Sequence, residues 1–183
     1  MKRSRAGFSR RALLCSLAAA ALPASARTQG ELDAVLPGAR LHGRGEMSFL
    51  GQTIYEARLW VTDGFSPGAY ARLPLALELT YAMALSGSRL ASRSLQEMQR
   101  QRALTASQRS RWLAAMEQAF PDVAKGDRLL GVLVPGSGAR FFHNGEPRGE
   151  VADPEFATLF FGVWLSPRTS EPALRAMLLG VPE

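Results

Sequence analysis

One cysteine and two histidines are all that the 183 residues offer to thiolate or imidazole chemistry. Cys15 lies in an N-terminal apolar segment, and once that segment is removed no disulfide, thiolate site or Cys-ligated metal centre can form. His42 and His143 stand far apart in the chain, without carboxylates at ligand spacing, and are expected as surface or strand-end residues. No cofactor and no metal are expected. No apolar run reaches the ~20 residues of a membrane span. A hydrophobic content of 46% excludes a disordered chain. Acidic residues are missing from positions 1–26, which carry Lys2, Arg3, Arg5, Arg10 and Arg11. Setting those five aside from the 22 Lys and Arg leaves 17 basic against 16 acidic residues from Arg27 onward, a net of +1. The basic balance therefore belongs to the N-terminus, and no nucleic-acid partner is expected for the rest of the chain.

Several catalytic signatures are also missing. Gly43-Arg44-Gly45 starts like a dinucleotide fingerprint, but no third glycine follows and no helix opens there. Gly136-Ser137-Gly138 lacks the spacing of a nucleophile elbow and reads as a turn. Asp122, Asp127, Asp153 and Glu155 fall at loop ends and helix starts, where acids have structural work.

What is present begins with a secretory pattern. A basic segment precedes an apolar one, Ala12 to Leu22, and a small-residue exit, Ala24-Ser25-Ala26. This order predicts a signal peptide over residues 1–26, cleaved at the Ala24-x-Ala26 site, and a single domain over 27–183. Ser9-Arg10-Arg11-Ala12-Leu13-Leu14 is similar to the twin-arginine motif, with Arg10 and Arg11 as the pair, so export runs by that route or by general secretion. Lipidation at Cys15 is not expected, because Leu14 rather than a small residue precedes it. The expected location is the periplasm.

From residue 41 the hydrophobic period alternates between strand and helix. Leu41 to Leu50 places Leu41, Gly43, Gly45, Met47 and Phe49 on one face; Ile54 to Val61 places Tyr55, Ala57, Leu59 and Val61 on one face. Taking Gly51 to Thr53 as a three-residue loop pairs Leu50 with Ile54, Glu46 with Arg58 and Met47 with Ala57. Leu75 to Tyr81 turns Leu75, Leu77, Leu79 and Tyr81 inward and Glu78 and Thr80 outward, giving a sheet with one apolar and one charged face. Ser88 to Arg102 is helical in period, and Thr105-Ala106-Ser107-Gln108 is a capping box opening a helix with the stripe Trp112, Met116, Ala119 and Phe120. Arg128 to Val134 reads as a central strand covered on both faces, followed by turns at Pro135–Gly138 and Asn144-Gly145. Asp153-Pro154-Glu155 starts a helix striped with Phe156, Leu159, Phe160, Val163 and Trp164, and a last helix from about Glu171 ends at Gly180. Strands, helices, strands and helices in that order describe an α+β domain with helices laid on a sheet.

The chain resembles the chalcone isomerase-like family, in its exported bacterial branch, over about Leu36 to Leu179. The matching stretches are Gly43-x-Gly45 with Ile54-Tyr55-Glu56-Ala57-Arg58-Leu59-Trp60, then Leu77-Glu78-Leu79-Thr80-Tyr81. Phe120-Pro121-Asp122-Val123 with Gly126-Asp127 follows, then Asn144-Gly145 and Phe160-Phe161-Gly162-Val163-Trp164-Leu165. The resemblance implies an open-faced β-sandwich: a long antiparallel sheet with helices packed on one face and a ligand cleft between them. In catalytic relatives, an Arg on the first long strand, aided by Thr and Tyr hydroxyls, stabilises the anion formed as a phenoxide adds to an enone. Here that Arg aligns with Met47 or Ser48 and the Thr with Leu50, so the expected catalytic Arg and Thr are not matched. Arg44 and Arg58 are assigned by alternation to the charged face. Two readings follow: non-catalytic binding of a small hydrophobic or fatty-acid-like carboxylate ligand in the cleft, or a chalcone-type isomerase (intramolecular lyase) acting on a phenolic enone. A structural or assembly partner is a third. Tyr55 and Tyr81 are the candidate ligand-binding residues, because alternation turns both toward the helix-covered face with a polar tip.

Overall fold

A computed structural model describes residues 24–181, with side chains in the first helix from residue 30 onward. Arg10 and Arg11 lie outside the described residues, and Ala24 and Ala26 are described in backbone only. The elements run α1 (Ala24–Val35), β1 (Arg40–Phe49), β2 (Gln52–Val61), β3 (Leu75–Tyr81), α2 (Gly87–Gln101), α3 (Ala106–Ala119), β4 (Arg128–Val134), β5 (Gly138–His143), β6 (Glu146–Val151), α4 (Pro154–Leu165) and α5 (Pro172–Leu179). A 3-10 segment, Pro67–Arg72, links β2 to β3. The six strands form one sheet in sequence order, each antiparallel to the next. Helices α2 to α5 pack on one face, so the architecture is an α+β open-faced sandwich.

Local chemistry explains most of the element ends. Thr105 and Gln108 close the capping box of α3 reciprocally, at 3.1 Å in each direction. Asp153 caps α4 by accepting from the Glu155 and Phe156 backbone N–H groups, and Pro154 at the first helical position gives up no hydrogen bond. Gly180 ends α5 in the left-handed conformation.

The first hairpin departs from the expected register. Its loop is the two-residue turn Leu50-Gly51, with φ of +50° and +78°, rather than Gly51 to Thr53. A type I′ turn matches the strand twist, and a bulge at Ile54 then absorbs one residue. Glu46 consequently faces Glu56, Arg44 faces Arg58 and Met47 faces Tyr55. A second bulge, at His42, puts Leu41 opposite Trp60 on the far face while Gly43, Gly45 and Met47 stay under the helices. Leu41 and Gly43 therefore do not share a face. The Gly43-x-Gly45 pair has a packing reason: a Cβ at Gly43 would lie 2.2 Å from the Leu178 carbonyl oxygen, so α5 rests directly on the β1 backbone.

The far face is not simply charged. Trp60, Ala76, Leu130, Val132 and Phe142 alternate with the main core, and α1 covers them with Leu32 and Leu36 to make a second, smaller core. Glu78, expected outward, is 1% exposed. It is held by Arg128, at 3.2 Å, and by Arg58, at 3.7 Å; Arg128 also bonds Glu31 of α1. The apolar residues on both faces of β4 agree with its reading as a strand covered twice. Neither α1 nor β6 was expected from the sequence pattern.

Candidate functional site

Three rows of side chains across the sheet form the floor of a cavity of about 250 Å³ between sheet and helices. The register sets their order. Met47, Tyr55 and Tyr81 lie side by side in the first row, Leu79 and Leu129 in the second, and Leu77, Gly131 and Phe141 in the third. Tyr81 lies four residue steps along β3 from Leu77, which is about 13 Å along a strand. The roof follows the same direction. On α4, Trp164 sits over Tyr55 and donates its indole N–H to the Tyr55 hydroxyl at 3.0 Å. One turn earlier Phe160 stands 5.1 Å from Phe141, ring centre to ring centre, and Phe120 at the end of α3 closes on Phe141 at the same distance.

The deep end is therefore hydrocarbon and aromatic. Gly131 belongs to that end: a Cβ there would come 3.3 Å from Phe161 and 3.5 Å from Phe141, so the missing side chain lets the rings approach the strand and leaves depth to the cavity. The polar groups of the lining are Tyr55 of β2, then Arg89, Arg93, Ser94 and Glu97 of the first three turns of α2, and Ser170 and Glu171 at the start of α5. Glu171, Arg93 and Glu97 act electrostatically on the Tyr55 phenol, which puts them at the first row, the shallow end. Arg89 lies one turn before Arg93, on the end of α2 that follows Tyr81.

The candidate residues Tyr55 and Tyr81 are adjacent, with ring centres 6.0 Å apart in an edge-to-face pair, and both line the cavity. Burial pushes the Tyr55 phenol up to about 12, against the relief given by the Trp164 hydrogen bond. Burial also pushes Tyr81 well above the usual phenol range, and neighbouring Tyr55 adds to the shift. Both are neutral at physiological pH. The Tyr55 oxygen already accepts from Trp164, which leaves its own proton free to donate. The Tyr81 hydroxyl makes no hydrogen bond among the described residues. Two neutral O–H donors thus stand where the polar and apolar ends meet.

The positions aligned with the catalytic Arg and Thr bring no comparable group. Met47 lines the cavity with a thioether, Ser48 is exposed, and Leu50 is 91% exposed in the hairpin turn. Arg58 is engaged on the far face with Glu56 at 2.7 Å, and Arg44 is exposed there. Among the described residues no group of three or more His, Cys, Asp or Glu is placed to hold a metal. His42 donates from Nε2 to the Leu179 carbonyl at 3.2 Å, and His143 sits 3.4 Å from Asp127 at the end of β5.

Sequence reasoning missed Trp164 as a site residue, because its apolar stripe reads as core, and it missed the α2 group altogether. The available signal was the helical spacing of Arg89, Arg93 and Glu97, which flank the buried stripe Ala91, Leu95 and Met98.

The profile of the family described as Chalcone isomerase-like matches residues 33–180. A curated protein of Haemophilus influenzae, described as uncharacterized, is 29% identical over 107 residues, covering 58% of this chain. The matched region spans about half of that relative, 52% of its length. Among solved structures, a fatty-acid binding protein of Arabidopsis thaliana superposes with a TM-score of 0.62 at 12% identity, covering 78% of this chain and 87% of its own. At that identity the likeness is one of fold.

Proposed function

This chain belongs to the chalcone isomerase-like family, and we propose that within it the protein is a non-catalytic, periplasmic binding module of the exported bacterial branch. Its ligand is a small hydrophobic, fatty-acid-like carboxylate held in the cleft between sheet and helices. One observation carries this reading: the cavity pairs a hydrocarbon floor with two neutral phenol donors, and among the described residues the guanidinium groups that line it, Arg89 and Arg93, stand on the rim of α2 while the strand arginine Arg58 is engaged on the far face. An apolar pocket with a few convergent polar groups is the ordinary form of a small-molecule site. A phenoxide adding to an enone needs preorganised positive charge at the developing oxyanion, and losing one such donor costs ~10²–10³ in rate. The fold shared with a plant fatty-acid binding protein supports the choice of ligand class. The basic-then-apolar segment before Ala24-Ser25-Ala26 supports export.

The test uses the purified mature protein with a fluorescent fatty-acid analogue and dodecanoate as competitor, beside a chalcone cyclisation assay. Saturable, displaceable binding with cyclisation no faster than in buffer is the expected result. Cyclisation above the buffer rate, without displaceable fatty-acid binding, would assign the cleft to isomerase chemistry instead.

A further inference from the structure

We propose that α2 selects the charge of the ligand's head group: Arg89 and Arg93, at the shallow end of the cavity, make the site prefer an anionic amphiphile over a neutral one of the same chain length. This rests on the binding reading above and deepens it.

The cavity has one direction. Its floor runs from the Tyr55–Tyr81 row to Gly131 and Phe141 about 13 Å deeper. Glu171, Arg93 and Glu97 of its lining act on the Tyr55 phenol at the first of these ends, with Arg89 one helical turn before Arg93 on α2. An amphiphile gains from burying its tail at the aromatic end, which leaves its head beside α2. The charges that meet it there are Arg89, Arg93, Glu97 and Glu171, with Arg100 one step outside. Glu97 is buried and already answered twice, by Arg93 at 2.8 Å and Arg100 at 3.5 Å, so that cluster keeps a surplus positive charge. Arg89 forms no ion pair among the described residues and is exposed at the rim. Counting Glu171 against it still leaves the end with three cations and two anions. A guanidinium recognises a carboxylate through paired N–H donors and stays charged at any working pH. Its reach from a helix rim also differs from that of a strand residue: it touches the head without entering the apolar floor.

The experiment measures the dissociation constants of dodecanoate and dodecanol by displacement of the same fluorescent analogue, for wild type, Arg89→Gln and the double variant Arg89→Gln/Arg93→Gln. Thermal melting confirms that each variant is folded. Wild type is expected to prefer the acid by about tenfold or more, as one charge-assisted contact allows. The double variant should lose that preference while holding dodecanol as wild type does, and added salt should shrink the wild-type preference because the rim is exposed. If both variants keep the preference for the acid, the head is read elsewhere and the proposal fails. If wild type binds acid and alcohol equally, the proposal fails while the binding reading stands. If wild type binds neither, the binding reading itself falls, and this one with it.

Discussion

Tyr55, Tyr70 and Tyr81 are the three tyrosines of the chain, and burial raises all of them. Tyr70 donates to the Thr158 carbonyl at 3.0 Å and is pushed up to about 12, like Tyr55. An unfolded chain ionises its phenols near 10. Each raised phenol therefore adds stability that is fully present below pH ~10 and is lost as the pH climbs toward the folded values. Spectrophotometric titration should show no phenolate at pH ~10 in the native protein, with the signal rising together with the loss of far-UV structure. A phenolate appearing near pH 10 without unfolding would place a tyrosine in water. The two cleft phenols should then separate under Tyr→Phe exchange. Tyr81→Phe removes a hydroxyl that bonds nothing within the described residues, so stability should hold while dodecanoate binding weakens by ~1–3 kcal/mol. Tyr55→Phe also strands the Trp164 N–H, so it should lose stability as well, by about 1–3 kcal/mol. Unchanged binding in both variants would remove the phenols from the site.

At the scale of elements, one carboxylate joins two helices. The Asp153 side chain caps α4 through two backbone N–H groups and accepts on its other oxygen from Trp112 Nε1 at 2.9 Å and Arg111 at 2.8 Å, both on α3. Burial works to raise this carboxyl, but the hydrogen bonds from Trp112, Phe156, Arg111 and Glu155 outweigh it and hold it below the usual carboxylate range. Its stabilisation is present at neutral pH and is lost only as the pH falls through that lowered value. Asp153→Ala should cost ~1–2 kcal/mol for the cap, and more for the stranded indole, and should flatten the acid limb of stability against pH. Trp112, fully buried against Phe156, should cost ~3–5 kcal/mol as Trp112→Ala, read by denaturant midpoint. A loss below 1 kcal/mol would mean that α3 is not part of the cooperative core.

Across the whole molecule, the sheet is covered twice: by α2 to α5 over the cavity, and by α1 over the second core. The export proposal cuts within the first turn of α1, between Ala26 and Arg27. Leu32, Leu36 and the Glu31–Arg128 ion pair all lie after the cut, so the mature chain keeps the groups that hold α1 in place. N-terminal sequencing of a periplasmic fraction should begin at Arg27. Replacing Arg10 and Arg11 together with Lys should block export by a twin-arginine route and leave general secretion intact; a chain retained in the cytoplasm with its first residues in place would overturn export.

The sequence by itself determined the elements whose signals are local. The Thr105–Gln108 box, the Asp153-Pro154 start, the Gly180 stop and the inward set Leu75, Leu77, Leu79 and Tyr81 each depend on neighbours within a few residues, and each stands in the structure as read. The inward direction of Tyr55 and Tyr81 also follows from alternation, but that the two stand opposite each other was decided by the register of β2 on β3. What only the tertiary structure decided depended on partners far along the chain. The first hairpin slipped from its expected register because a two-residue turn and a bulge fit the sheet twist, at the expense of facing Glu46 with Glu56. Glu78 is buried because α1, from a stretch without a clear period, covers the far face and brings Glu31 to Arg128. Arg93, Trp164 and Gly131 read locally as a solvated charge, a core ring and a weak strand residue. Only the packing of α2 and α4 over β2 to β5 brings them to one cavity, since a pocket between layers has no period of its own in a linear sequence.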